Sequence, residues 1–293
     1  MSLNITTAFV QEYKSNIEQL TQQHGSRLRS RVRNEPCSGK RSNPINQIGK
    51  VKATKLTTRH GPTPRTDTPH SRRWITPNDF AVADWIDSED QLRMLIDPES
   101  AYSQNMRDSL GREIDSAILD SAFGTAYVGE EGTTAETFDT GNWQVLAAGV
   151  GLTVAKIRAV NRMLLAAENN QDEEKFIVLS ADQIEDLLGE TWVVSADYNT
   201  VKPLQSGKIV DFLGFTFVHS ELILSDGTND RVLAYAKSGL CLGVWKDIEA
   251  RISELPEHNY TTQAYARATF GATRTHEAGS TTKGKVAEIQ CVP

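Results

Sequence analysis

Residues 25–75 hold too few large apolar side chains to build a core, and this shortage limits the possible folds more than any other feature. Large apolar side chains occupy almost only seven positions in this segment: Leu28, Val32, Ile45, Ile48, Val51, Leu56 and Trp74. Their burial does not offset an ordering cost of about 1–2 kcal/mol for each backbone residue. We therefore expect the segment to be extended, and to order against a surface that a neighbouring subunit supplies.

The same region is basic, whereas the rest of the chain is acidic. Residues 1–75 carry 14 basic and four acidic side chains, a net charge of +10, and the remainder carries 17 basic and 34 acidic side chains, a net charge of −17. This asymmetry indicates that the basic segment binds nucleic acid, forms a solvated basic face, or lies on the acidic body of another copy. Trp74 is the one aromatic residue between 25 and 75, so nucleic acid would be contacted through phosphates without base stacking. The candidate contact residues are Arg27, Arg29, Arg31, Arg33, Arg59, Arg65, Arg72, Arg73 and Trp74.

A four-residue apolar repeat predicts a long helix over residues 98–123. The repeat consists of Tyr102, Met106, Leu110, Ile114, Ile118 and Ala122. Asp97 is a good N-cap, Pro98 suits the first helical position, and Gly124 is placed to end the helix. At 1.5 Å per residue, such a helix is about 37 Å long.

Weaker patterns indicate the remaining elements. Residues 3–24 have the spacing of an amphipathic helix, and the alternation over 51–58 predicts a strand that pairs with 72–75 in a long two-stranded excursion. The alternating residues 264–275 and 285–291 predict a terminal hairpin that closes the sheet of the first body.

The middle of the chain is typical of a compact α/β unit. A second amphipathic helix is predicted over 154–167. It is followed by a short buried strand at 175–179 and by a short helix that Ser180 caps and that ends at Gly189. Strand-rich sequence follows at 209–219 and 232–245, and a turn at 225–230 separates the two stretches.

No motif for catalysis or for a cofactor is found. The six histidines and three cysteines lack the spacing of a metal site, and no phosphate-binding loop, dinucleotide fingerprint or nucleophile elbow is present. Residues 145–155, the longest nearly apolar run, are too few for a membrane helix, and residues 1–11 lack the pattern of a secretory leader. We expect a cytosolic chain with reduced thiols, no cofactor and no enzymatic activity.

The order of elements resembles the major capsid proteins of tailed bacteriophages, which have the Hong Kong 97-type fold. Residues 26–32 are similar to the end of an N-terminal arm, and 74–87 to the strand that returns to the peripheral (P) domain. Residues 97–123 resemble the spine helix of that domain, and 270–275 with 286–289 resemble its return strands.

The resemblance implies an α+β chain with an N-terminal arm, an extended E-loop hairpin, a P domain and an axial (A) domain. The implied boundaries are 1–33 for the arm, 34–78 for the E-loop, 79–172 for the P domain with its spine helix at 98–123, 173–250 for the A domain, and 251–293 for the return to the P domain.

The resemblance also implies a function. Copies of the chain would form pentamers and hexamers of an icosahedral shell around double-stranded DNA, with the A domain near the ring axis and the E-loop across the adjacent subunit. Scaffolding, portal and decoration proteins are the further partners it implies, with no membrane partner, in a virion assembled in the host bacterial cytoplasm. The rival hypotheses are an encapsulin-like compartment shell, a soluble protein that binds nucleic acid through residues 1–75, and an α/β enzyme centred on 175–250.

Overall fold

The computed structural model describes residues 22–40, 42–57, 59, 61, 63, 65–86, 99–167, 169, 172–190, 211–258, 260–275 and 284–293. Its helices are α1 (Glu99–Phe123), α2 (Thr140–Trp143), α3 (Val154–Ala166) and α4 (Ala181–Gly189). Its strands are β1 (Arg33–Pro36), β2 (Ser42–Ile48), β3 (His70–Ile75), β4 (Asn78–Ile86), β5 (Ala126–Val128), β6 (Thr134–Glu136), β7 (Gln144–Val145), β8 (Lys175–Leu179), β9 (Asp211–Phe212), β10 (Phe215–His219), β11 (Leu224–Ser225), β12 (Asp230–Ala236), β13 (Leu240–Leu255), β14 (Thr261–Arg274) and β15 (Val286–Cys291). The chain is therefore an α+β protein, as the sequence predicts.

Helix α1 has the bounds and the buried face that its four-residue repeat predicts. Met106, Leu110, Ile114, Ile118 and Ala122 are all buried. They pack with inward-facing side chains of β14, which are Ala264, Ala266, Ala268 and Phe270. Alanine side chains are short, so they leave room for the larger side chains of the helix against the sheet.

That sheet has four strands in the order β1-β13-β14-β4. Strands β13 and β14 are antiparallel from the pair Leu240↔Arg274 to the pair Leu255↔Thr261, and β4 is antiparallel to β14. Strand β1 runs parallel to the start of β13. The basic N-terminal segment therefore enters the body as an edge strand.

A seven-stranded sheet has the order β7-β15-β12-β8-β10-β9, with β11 on β12. All five residues of β8 are buried, as expected for a strand covered on both faces. The following helix α4 starts with a capping box between Ser180 and Gln183 and ends at Gly189, so its predicted bounds are correct.

The third sheet contains the extended hairpin and has the order β2-β3-β5-β6. Strands β2 and β3 are antiparallel, from Ser42↔Ile75 at the body to Ile48↔His70 at the outer end. The predicted two-stranded excursion thus exists, but the predicted strand at 51–58 is wrong. Residues 51–57 are exposed and lie outside any strand, because no surface of the same subunit covers their apolar side chains.

The predicted terminal hairpin is wrong. Strands β14 and β15 belong to different sheets, and β15 lies between β7 and β12. The buried side chains of β15 fit the centre of that sheet, where Arg231 Nε lies 2.8 Å from Oε1 of the buried Glu288 and neutralises it.

The helix predicted over 3–24 falls mostly outside the described residues, and residues 22–24 are not helical.

Within the described part of the chain, no helix combines the length and the apolar character that crossing a bilayer requires.

Candidate assembly surface

Two buried carboxylates on α1 fix the start of the basic segment to the body. Asp115 accepts hydrogen bonds from Gln23 Nε2 at 2.6 Å and Ser26 Oγ at 2.5 Å. It also accepts from the backbone N–H groups of Arg27 at 2.9 Å and Leu28 at 3.0 Å. Four donors converge on one carboxylate that is 0% exposed, so the arm and the helix are joined at a defined point.

Asp108, about two helical turns before Asp115 on α1, makes the second attachment. Its carboxylate accepts from the backbone N–H of Gly25 at 2.9 Å and lies 2.8 Å from His24 Nδ1. Gly25 has a φ of +62°, and a Cβ at Gly111 would lie only 2.5 Å from the carbonyl carbon of Gly25. The glycine inside α1 is therefore needed for the arm to approach the helix.

All four candidate arginines in the arm have partners in their own subunit. Arg29 forms two 2.8 Å hydrogen bonds to Asp247, which raise the pKa of Arg29 and lower that of the Asp247 carboxyl. Arg27 Nη1 donates to the carbonyl oxygen of His219 at 2.7 Å, and Arg31 donates to the carbonyl oxygen of Arg27.

The fourth arginine of the arm, Arg33, is exposed and pairs locally with Glu35 at 2.6 Å.

Arg73 lies inside the subunit. Its side chain is 1% exposed, and Nη1 lies 2.7 Å from Glu136 Oε2. The equally buried Arg274 donates to the carbonyl oxygens of Ala122 at 3.1 Å, Gly124 at 2.6 Å and Glu136 at 2.9 Å. Burial, opposed by Glu136 and reinforced by Arg73, lowers the pKa of Arg274 to about 10. This cluster fastens the hairpin to the end of α1 and leaves Arg73 almost no surface to offer a neighbour.

Arg72 and Trp74 flank Arg73 on β3, and both of their side chains are half-buried. Arg72 Nε donates to Asn46 Oδ1 at 3.1 Å, and its guanidinium lies 5.9 Å from the centre of the Trp74 ring. Trp74 Nε1 donates to the carbonyl oxygen of Gly129 at 2.8 Å. The tryptophan is thereby held against the loop that joins β5 to β6.

The remaining candidates belong to the strap, defined as residues 49–69. Arg59 and Arg65 are exposed there, and Arg65 pairs with Asp67 at 3.2 Å, where both side chains are more than 85% exposed. Such an exposed pair contributes little stability. Arg27, Arg29 and Arg73 are held by contacts to the body, whereas Arg59 and Arg65 are exposed. An intersubunit role stays a prediction for the candidates that are not buried.

An open cleft of about 350 Å³ lies between α1 and the base of the hairpin. One wall is a face of α1 that carries Glu113, Ser116, Ala117 and Asp120 at helical spacing. Strands contribute Trp74, Asn78, Phe80, Tyr127, Ala272 and Thr273 to the lining, and Thr76 comes from the turn between β3 and β4. The described residues that line it include acidic, hydroxyl and aromatic side chains but no lysine or arginine.

Within the described ranges, no three His, Cys, Asp or Glu side chains lie close enough together to hold a metal ion.

The sequence profile of the phage capsid protein family matches residues 5–292, nearly the whole chain. The chain belongs to this family. No curated protein sequence matches this phage capsid protein.

Solved capsid structures share its fold at low sequence identity. A chain of the cyanophage Pam1 capsid has a TM-score of 0.70 and 15% identity, with 100% of this chain and 99% of that chain covered. For the capsid of cyanophage P-SCSP1u the values are 0.69 and 14%, with 100% and 95% covered. For Mycobacterium phage Che8 they are 0.67 and 16%, with 96% and 97% covered. The resemblance drawn from the sequence is confirmed, and this phage capsid protein is a structural component of the virion.

Proposed function

We propose that this phage capsid protein assembles with itself, as pentamers and hexamers, into an icosahedral shell that encloses double-stranded DNA. The observation that carries the proposal is the strap, which is basic and whose described residues are almost all exposed, on a chain whose body is acidic. Opposite charges on different parts of one chain favour head-to-tail contacts between identical copies, and such contacts close into rings.

The proposal also assigns a role to each segment of the chain. Residues 1–33 serve as the arm, 34–78 as the E-loop that reaches the adjacent subunit, and 79–172 with 251–293 as the P domain. Residues 173–250 serve as the A domain at the ring axis. The solved capsids of cyanophages Pam1 and P-SCSP1u support this division, because they share the fold over the full length of the chain.

Electron microscopy and light scattering of the purified protein test this function. We expect closed shells or rings of five and six subunits with a mass far above the 32.4 kDa of one chain. Native particles should protect double-stranded DNA from nuclease, whereas particles that hold cargo protein and no DNA would favour an encapsulin-like shell. A chain that stays monomeric and binds DNA with a steep salt dependence would overturn the proposal in favour of a nucleic-acid-binding protein.

A further inference from the structure

The extended hairpin leaves the body beside a shorter hairpin, β5–β6. Strand β3 pairs with β2 on one edge and with β5 on the other, at Arg73↔Val128 and Trp74↔Tyr127. Strand β6 continues the sheet on the far side of β5. We call the shorter hairpin, residues 126–136, the buttress. It flanks β3 near the root of the extended hairpin and not at its outer end.

Both ends of the buttress are fixed to the body. Its first strand follows the end of α1 after only Gly124 and Thr125. At its last residue, Glu136, the carbonyl oxygen accepts a hydrogen bond from Arg274 of β14 at 2.9 Å, and the carboxylate pairs with Arg73 at 2.7 Å. The buttress therefore belongs to the body and offers β3 a fixed surface.

Trp74 contacts the loop of the buttress at two points. Its Nε1 donates to the carbonyl oxygen of Gly129 at 2.8 Å. A Cβ at Gly132 would lie 2.6 Å from Cγ and 2.7 Å from Cδ1 of the indole, closer than real Cβ atoms approach a neighbour. Gly132 also has a φ of +68°, which residues with side chains rarely adopt. The contact with the ring and the backbone conformation thus each require glycine at this position.

The opposite edge of the extended hairpin has an attachment of its own. Gln47 Nε2 on β2 donates to the carbonyl oxygen of Thr275 at 2.7 Å, and Ser71 Oγ on β3 donates to Gln47 Oε1 at 3.0 Å. That attachment is a hydrogen bond from a flexible side chain. The buttress contributes strand pairing, a packed indole ring and a buried ion pair, so it is the stronger restraint.

A small tilt at the root of the hairpin is enlarged at its outer end. Four residues of strand, about 13 Å, separate Trp74 from His70, the last paired residue of β3. A tilt of about 10° at Trp74 moves His70 by about 2 Å, and the strap continues from there. Interfaces between subunits are packed as densely as protein interiors, so a displacement of about 2 Å is enough to separate matching surfaces.

We infer that the buttress sets the direction in which the extended hairpin leaves the subunit, and that Trp74 and Gly132 are positioning residues for assembly. Their contact acts within one subunit and decides the geometry of the particles that many subunits form. The inference rests on the proposed self-assembly and adds the element that controls the shape of the shell.

Pulsed electron paramagnetic resonance on dissociated subunits measures the direction of the hairpin. Spin labels on His70→Cys, at the outer end of β3, and on Arg107→Cys, on the exposed side of α1, report one distance. Cys37→Ser removes the one thiol that is not buried. Gly132→Ala pushes the indole off the buttress, so the mean distance should shift by about 2 Å or more.

Gly227→Ala is the matched control. Gly227 lies in the turn between β11 and β12 with a φ of +89°, and nothing lies within 4 Å of a Cβ placed there. The control adds the same kind of backbone strain without a collision, so we expect the wild-type distance and wild-type particles. Gly132→Ala should give at least about tenfold fewer shells of wild-type diameter, with tubes, open sheets or shells of another size in their place.

Trp74→Leu tests the same contact from the other side and replaces Gly132→Ala if that variant is insoluble. It removes the ring and its hydrogen bond to Gly129 and should produce the same aberrant particles. Shells of wild-type diameter from either folded variant, or a distance that shifts no more than in Gly227→Ala, would overturn the inference and leave the proposed function intact. A wild-type chain that forms no particles would overturn the proposed function itself.

Discussion

Replacing Arg73 with alanine tests whether this arginine stabilises the subunit from within. Alanine removes the guanidinium, whose Nη1 lies 2.7 Å from Glu136 Oε2, and leaves that carboxylate beside a cavity. Removal of one partner of a buried ion pair costs about 3–5 kcal/mol. The 17% exposure of the Glu136 side chain allows some solvation, so we expect a loss of about 3 kcal/mol. At about 2–4 °C for each kcal/mol, the Tm of the subunit should fall by about 6–12 °C.

Arg65→Ala provides the matched comparison, because the same chemical change is made at an exposed pair. Its partner Asp67 lies 3.2 Å away in full contact with solvent, so the Tm should change by no more than about 2 °C. Urea and thermal unfolding of dissociated subunits, followed by circular dichroism, measure both variants. If Arg73→Ala left the unfolding transition unchanged and only impaired assembly, Arg73 would be an intersubunit residue and the reasoning from burial would fail.

Three other substitutions probe the attachment of the arm and the packing of the body. Asp115→Ala removes the acceptor of four hydrogen bonds and should cost at least about 3 kcal/mol, with trypsin cutting faster at Arg27 in a proteolysis time course. Gly271→Ala places a Cβ 2.2 Å from a backbone oxygen and should lower the Tm by several degrees, whereas Gly189→Ala, with open space around it, should change the Tm little. Ile114→Asp puts a charge on a side chain that is 3% exposed, so the protein should be insoluble; soluble, assembling protein would mean that this face of α1 is not a core face.

Local patterns in the sequence predict the local parts of this fold. The bounds of α1 follow from its apolar repeat and from Gly124, and α4 follows from the cap at Ser180 and the stop at Gly189. These signals work because caps and buried faces involve residues within one or two turns of each other. The sequence also indicates, correctly, that residues 51–57 have no core of their own, although it misassigns them to a strand.

The contacts that define the site are not local, and sequence reasoning did not find them. The sequence predicts an intersubunit contact for Arg73, because its partner Glu136 is 63 residues away and leaves no local signal. Asp108 and Asp115 do carry a signal, since two carboxylates seven residues apart flank the buried face of α1, but their donors lie in the distant arm. The placement of β15 beside β12 depended on a choice between two sheets with similar alternation, which local sequence does not resolve.

The four-stranded sheet has a consequence for synthesis on the ribosome. Asp79 on β4 and Thr269 on β14 are paired although 190 residues separate them. Translation proceeds at about 5–20 residues per second, so about 10–40 s pass between the synthesis of β4 and that of its partner β14. During that time the edge of β4 is unpaired, and unpaired strand edges promote aggregation. The rate of translation and the availability of chaperones therefore decide how many chains reach the folded state before shells begin to form.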